Sequence, residues 1–138
     1  MTRTAVIVDT NVVVAGLITK RAESAVARIL DGMLGAVVPF VVSEALLAEY
    51  RTVLVRQGLR KLHGLTVLQL DAVLTDIAFN AIVLNPARAP PAPDPGDQLL
   101  WELLAARSDL LLVTGDKLLL RDAGMRGRVI SPQMFLQS

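Results

Sequence analysis

The sequence predicts an α/β domain, a mainly parallel sheet of four to five strands covered by helices. Two apolar runs carry this expectation. Near the N-terminus, Ala5-Val6-Ile7-Val8 runs into Asp9-Thr10-Asn11, and near the C-terminus, Leu110-Leu111-Leu112-Val113 runs into Thr114-Gly115-Asp116. Continuous apolar runs of this length, without apolar–polar alternation, suit strands buried on both faces, as in parallel sheets. The third observation is the alternation of strand-like and helix-like segments between them, which implies parallel strands joined by helices.

Taken in order, a strand over 4–8 is followed by a turn and by helical segments over 11–18 and 22–33. Residues 35–40 read as a short strand. Ser43 is placed to cap a helix reaching about Arg56, and Thr66 a helix over 66–80. Ile82-Val83-Leu84 is a short strand. Residues 85–96 carry Pro86, Pro90, Pro91, Pro93 and Pro95. Proline fixes φ and gives no backbone donor, so this stretch should be an extended connector. Asp94 caps a helix from Pro95 to about Ala106, Leu110 to Val113 is a strand, a short helix begins near Asp116, and Arg128-Val129-Ile130 forms a last strand. No repeat or linker divides the chain, and its 138 residues fit a single domain, 1–138.

Composition narrows the function. Apolar residues make up 53% and aromatics only 4%, so the core must be built mainly from Leu, Val, Ala and Ile. Without cysteine, disulfides, zinc–thiolate sites and thiol catalysis are excluded. The net charge of +1 says little, but its distribution says more. Arg51, Arg56, Arg60 and Lys61 fall in a stretch without acids, and Lys117, Arg121, Arg126 and Arg128 face Asp122 alone. Acidic centres with basic flanks suit a polyanion across a metal site, and solvated helix faces are the plainer alternative. No apolar stretch of ~20 residues suggests a membrane span, and no cleavable leader is visible, so the sequence reads as cytoplasmic.

Ligands of open α/β sheets bind outside the carboxyl ends of the strands. Asp9 and Asp116 both fall there, although either could be a helix N-cap. Asn11 is a second candidate cap or a donor to a ligand, and Thr114 could bind a water or carboxylate. At ~100° per residue, Leu46, Leu47, Tyr50, Val53 and Leu54 form one helical arc. Glu49 borders that arc, and Glu44 points away. A carboxylate at a buried edge needs a partner, which could be Arg28, Arg51 or Arg56. Asp97 lies one turn before the stripe of Leu100, Trp101 and Leu104. Asp94 and Asp97 could instead be a capping pair around Pro95. Oxygen-only donors suit a hard cation such as Mg²⁺ or Mn²⁺, which can activate a water for in-line attack on a phosphodiester. Whether one or two metals are held stays open.

Val8-Asp9-Thr10-Asn11-Val12, the helix from Ser43 through Glu49, Asp94-Pro95-Gly96-Asp97, and Val113-Thr114-Gly115-Asp116-Lys117 together resemble the PIN-domain family of metal-dependent ribonucleases. The likeness spans nearly the whole chain and is greatest to VapC-like toxin components of toxin–antitoxin pairs. It implies a three-layer α/β/α sandwich, a Mg²⁺ or Mn²⁺ cofactor, and cleavage of RNA phosphodiesters by a metal-activated water. It also implies a homodimer and a neutralising antitoxin protein. The family's acidic quartet, catalytic and metal-binding, carries over onto Asp9, Glu49, Asp97 and Asp116. Asn11, Thr114 and Asp94 match its supporting positions. Leu118 departs from the pattern, since many relatives carry a polar or acidic residue there.

Other readings compete. A non-catalytic module binding a partner or nucleotide is one, although no Gly-rich phosphate loop is present. A general RNA-processing nuclease without an antitoxin is another. A haloacid-type phosphatase would want an acid at Asn11, and a receiver would want paired acids after the first strand. His63, the only histidine, is expected on the surface of a basic linker. Trp101 is expected in the core.

Overall fold

A computed structural model describes residues 4–125 and 127–137; Arg126 of the second basic stretch lies outside them. The first apolar run forms β1 (Val6–Val8) and leads directly into α1 (Thr10–Ile18). Next come α2 (Ala25–Leu34), β2 (Val41–Val42), α3 (Glu44–Leu54), α4 (Gln57–His63), α5 (Val67–Asn80) and β3 (Ile82–Val83). After the connector, a 3₁₀ turn (Pro95–Asp97) runs into α6 (Gln98–Leu104). The chain closes with β4 (Leu111–Val113), α7 (Lys117–Leu120), β5 (Val129–Ile130) and α8 (Pro132–Gln137).

Every strand pairing is parallel. β4 lies between β1 and β5, with Val8 opposite Val113 and Val113 opposite Ile130. β2 pairs with β3. A parallel bridge between Val6 and Phe40 links the two groups, with the Val6 N–H donating to the Pro39 carbonyl at 3.1 Å. The strands therefore run in the order β3-β2-β1-β4-β5. Successive strand side chains point to opposite faces. Val6, Ile7 and Val8 are nevertheless all fully buried, so helices cover both faces and the expected α/β/α sandwich is present. Leu, Val and Ile dominate the core, joined by Trp101, Tyr50 and Phe40, as the composition required.

The strand expected over 35–40 is displaced. α2 runs on to Leu34, and the amides of Val37 and Val38 both bond back to the Gly32 carbonyl at 2.8 and 3.0 Å. Those amides cap the helix and are lost to a ladder, so pairing starts only at Phe40 and β2 is Val41–Val42. The helix expected to reach Arg56 stops at Leu54. The chain is extended at Arg56 and re-enters a helix at Gln57, so the basic stretch taken as a linker is α4. Helix α6 ends at Leu104 rather than Ala106, and its first turn is 3₁₀. The Ser24, Ser43 and Thr66 hydroxyls accept the capping bonds of α2, α3 and α5, and Thr66 with Gln69 completes a capping box. Among the described residues, no single helix is long and apolar enough to cross a membrane.

Candidate active site

The chain reverses direction across the sheet between β1 and β4, since β2 and β3 lie on one side of β1 and β4 and β5 on the other. That is the position at which α/β sheets leave a crevice outside the strand ends. A cleft of about 740 Å³ opens there, and Asp9, Glu49, Asp97 and Asp116 all line it. The structure thus brings together the four acids singled out from four separate segments.

Asp9 follows the last residue of β1 and is 6% exposed. It occupies the N-cap position of α1, yet its carboxylate makes no capping bond. Its Oδ2 accepts instead from the Thr114 hydroxyl at 2.8 Å and from Asn11 Nδ2 at 3.3 Å. Thr114 is fully buried and acts as a hub, since its oxygen also receives Asn11 Nδ2 at 3.3 Å and the Asp116 N–H at 3.0 Å. Asn11 Oδ1 in turn accepts from the Gly115 N–H at 3.2 Å. This small network ties the loop after β1 to the loop after β4, and so fixes Asp9 relative to Asp116.

Glu49 is half-buried on α3 and accepts a hydrogen bond from the Thr10 hydroxyl. Among the described residues it has no ion pair: Arg51 reaches across to Asp71 at 3.0 Å, and neither Arg28 nor Arg56 pairs with an acid. The next residue, Tyr50, is fully buried, and its hydroxyl donates to the carbonyl of Val8. Tyr50 anchors α3 to the end of β1 and sets Glu49 across from Asp9. In the sequence it appeared only as part of an apolar arc, and a lone phenol in such an arc was the available signal of a buried polar anchor.

Asp97 stands at the start of α6 without a side-chain capping bond. Asp94 does the capping, accepting from the Gly96 N–H at 2.8 Å, and does not line the cleft. Asp116 does both: it accepts from the Leu118 N–H at 2.9 Å as the cap of α7 and faces the cleft. Glu44 is exposed, as expected. Leu118 is 55% exposed and contributes its amide to Asp116.

The electrostatics follow from this crowding. Burial raises the pKa of Asp9; hydrogen bonds from Thr114 and the Thr10 backbone oppose the rise, and the charges of Glu49 and Asp116 add to it. Asp97 is pushed up to about 6, first by desolvation and then by the charges of Asp9, Asp116, Asp94 and Glu49. Burial, and then the charges of Asp9 and Glu49, hold the Tyr50 hydroxyl protonated far above its ordinary range. Among the described residues, no lysine or arginine pairs with any of the four acids. The cleft therefore concentrates negative charge that no described basic side chain neutralises, a situation that favours a bound cation.

Does this donor set fit a metal? Among the described residues, no three acidic or histidine side chains are gathered tightly enough to form a ready-made cage. Magnesium does not need one, because it keeps several waters and typically takes one or two carboxylates plus substrate oxygens. An open cleft lined by oxygen donors, with no sulfur and no imidazole, matches that habit. Away from Thr10, Asn11 and Thr19, the rest of the wall is apolar and includes Val14, Ile18, Val26 and Val53. These positions were not read from the sequence as part of a site, although Val14 and Ile18 sit at i and i+4 on the helix that begins beside Asp9.

The expectation for His63 is overturned. It ends α4 half-buried, its Nε2 bonded to the Leu54 carbonyl and its Nδ1 to the Leu65 N–H, each at 3.0 Å. Partner types fix the Nε2–H tautomer, and both ring nitrogens serve structure. Trp101 is 2% exposed, in the core as expected.

Fold and cleft together define an α/β domain with an acid-lined site at the switch point of a parallel sheet. The model of the PIN domain matches residues 5–118, which include all four acids, and the chain belongs to that family. PIN domains are in general metal-dependent nucleases that act on RNA and typically use divalent cations. No curated protein matches the chain.

Proposed function

We propose that this protein is an endoribonuclease in which Asp9, Glu49, Asp97 and Asp116 hold Mg²⁺ or Mn²⁺ against a scissile phosphodiester. One observation carries the reading: four carboxylates from four segments line one cleft, and no basic side chain among the described residues pairs with them. A divalent cation held there supplies Lewis-acid polarisation of the phosphate and a water of lowered pKa.

The chain's own residues do the rest. Thr114 and Asn11 orient Asp9 through its Oδ2. Thr10 orients Glu49, and Tyr50 holds that helix to the end of β1. Asp116 is fixed by its own capping bond. Asp97, its pKa pushed up to about 6 by desolvation and by the neighbouring carboxylates, is ionised at neutral pH and adds its charge to the cleft. His63 is committed to backbone partners and takes no part.

The same reading extends to biology. The whole chain, 1–138, acts in the cytoplasm as a single-domain toxin of the VapC-like type, as a homodimer silenced by an antitoxin protein. The sequence resemblance supports this extension.

The test is cleavage of an unstructured RNA. Wild-type protein should cut with Mg²⁺ or Mn²⁺ and not in chelator. Asp9→Asn and Asp116→Asn should each lose at least about 100-fold in rate, equivalent to roughly 3 kcal/mol of transition-state stabilisation. Both variants should stay folded, because asparagine keeps an acceptor for Thr114 and for the Leu118 amide. Wild-type rates in either variant would sink the mechanism. For the toxin role, expression in a bacterial host should arrest growth, and co-expression of a small neighbouring reading frame should relieve it. Cleavage without arrest or relief would favour a general RNA-processing nuclease.

A further inference from the structure

We propose that Arg60 and Lys61 on α4 form a phosphate-binding subsite that holds the backbone of single-stranded RNA beyond the acidic cleft. This inference rests on the nuclease reading above for the identity of the strand, though not for the chemistry of the subsite.

The direction of the cleft comes first. Thr10 and Glu49 touch at its acidic end. Ile18 lies about two turns further along α1 and Val53 about one turn further along α3, and both still line it. The cleft therefore extends from the acids toward the C-terminal ends of α1 and α3. The chain just past those ends carries Lys20, exposed after α1, and Arg56, exposed between α3 and α4. Helix α4 itself packs against both α1 and α3.

Beside α4 is a separate concavity of about 320 Å³, lined by Arg60, Lys61 and the loop from Gly64 to Thr66. Three features suit it to a phosphate. Lys20, Arg56, Arg60 and Lys61 are all exposed, and none has an acidic partner among the described residues. The loop is compact because Gly64 adopts φ +70°, a conformation side chains rarely take. His63 pins the shape, tying the end of α4 to the Leu54 carbonyl of α3 and to the Leu65 amide of the loop. Such a site costs little ordering when an anion enters.

Away from the acids the cleft wall is largely apolar, with Val14, Ile18, Val26 and Val53 beside Thr19. An apolar wall favours the faces of unpaired bases, which a duplex keeps stacked inside. The arrangement thus matches a single strand lying lengthwise: one phosphate at the carboxylates, bases over the aliphatic wall, a later phosphate at Arg60 and Lys61.

The test is binding, read apart from cleavage. A fluorescein-labelled unstructured RNA is titrated into Asp116→Asn protein in Mg²⁺, across a range of salt. Adding Arg60→Gln and Lys61→Gln should weaken binding on the order of 10-fold and flatten the log–log salt slope by about 1.4, the value for two lost phosphate contacts on a single strand. Arg88→Gln, which removes one exposed charge from the proline connector, should leave affinity and slope unchanged. An unchanged affinity and slope in the double variant would overturn the subsite, as would equal weakening by Arg88→Gln. So would a double variant that keeps its RNA affinity but changes its sedimenting mass, which would make this surface a protein interface. Circular dichroism melts of the double variant, expected to match the parent, keep misfolding from imitating the result. Cleavage by wild-type protein is scored separately, so failure of the nuclease reading and failure of the subsite remain distinguishable.

Discussion

If the acids crowd one another, neutralising one of them should stabilise the metal-free protein, and Asp97→Asn is the cleanest case. Asp97 makes no capping bond, so the substitution breaks no hydrogen bond seen in the structure. Its pKa rises from 3.8 to about 6 through desolvation and the charges of Asp9, Asp116, Asp94 and Glu49. At 1.36 kcal/mol per unit, a rise of that size corresponds to about 3 kcal/mol against the ionised form. The side chain is only half-buried, and solvent screening reduces this to about 1–1.5 kcal/mol. The helix dipole works the other way, because an anion at the start of α6 is favourable by about 0.3–0.5 kcal/mol. Repulsion and desolvation win, with a net gain of about 1 kcal/mol, or about 3–5 °C in Tm for a chain of this size.

The pH dependence fixes the sign. A raised carboxyl pKa means that the folded state binds protons more readily than the unfolded chain. The penalty is absent below pH 3.8 and complete above about 6. Melts in chelator should therefore show Asp97→Asn above wild type at pH 7.5, with the gap closing as pH falls through 6 toward 4. A variant less stable than wild type at pH 7.5, or a gap independent of pH, would refute the claim that Asp97 is held against uncompensated charge.

Other consequences follow from the same geometry. Millimolar Mg²⁺ should raise the Tm of wild-type protein and do so much less for Asp9→Asn, by differential scanning fluorimetry; equal shifts would place the ion elsewhere. Thr114→Val keeps the shape but removes the buried hydroxyl serving Asp9, Asn11 and Asp116, and should cost about 1–3 kcal/mol in urea melts. Tyr50→Phe should cost about 1 kcal/mol for the lost bond to the Val8 carbonyl. Gly16→Ala would ordinarily favour a helix by about 1 kcal/mol. Here its Cβ would meet the Val26 carbonyl at 2.9 Å and Leu30 Cβ at 3.0 Å. Overpacking of about 1–3 kcal/mol should dominate, giving a net loss in the same melts.

Much of this arrangement was legible before the structure. The runs ending at Asp9 and Asp116 identified two strands of a parallel sheet, because continuous burial on both faces leaves a plain apolar signature in sequence; that they pair directly came from the structure. Glu49 emerged because it borders an apolar arc at helical spacing, and Asp97 because it lies one turn before such a stripe. What escaped has physical reasons. Residues 36–40 are as apolar as a strand, but Val37 and Val38 spend their amides on the end of α2, which periodicity does not reveal. Helix α4 has no buried residue and so no apolar face to read. Helix α8 went unnoticed although Ser131 before Pro132 is a start signal, with the Ser131 hydroxyl accepting from the Met134 N–H at 3.2 Å. The roles of Thr10 and Tyr50 depend on partners 39 and 42 residues away, beyond the reach of any local pattern.

The central claim is that carboxylates from separate segments share a divalent cation. Anomalous diffraction from crystals soaked in Mn²⁺ tests it most directly. The account expects a manganese peak in the cleft within coordination distance, about 2.1–2.3 Å, of Asp9 or Asp116 oxygens, lost in Asp9→Asn. Strong manganese peaks elsewhere and none among these four side chains, at a metal concentration that supports RNA cleavage, would contradict it.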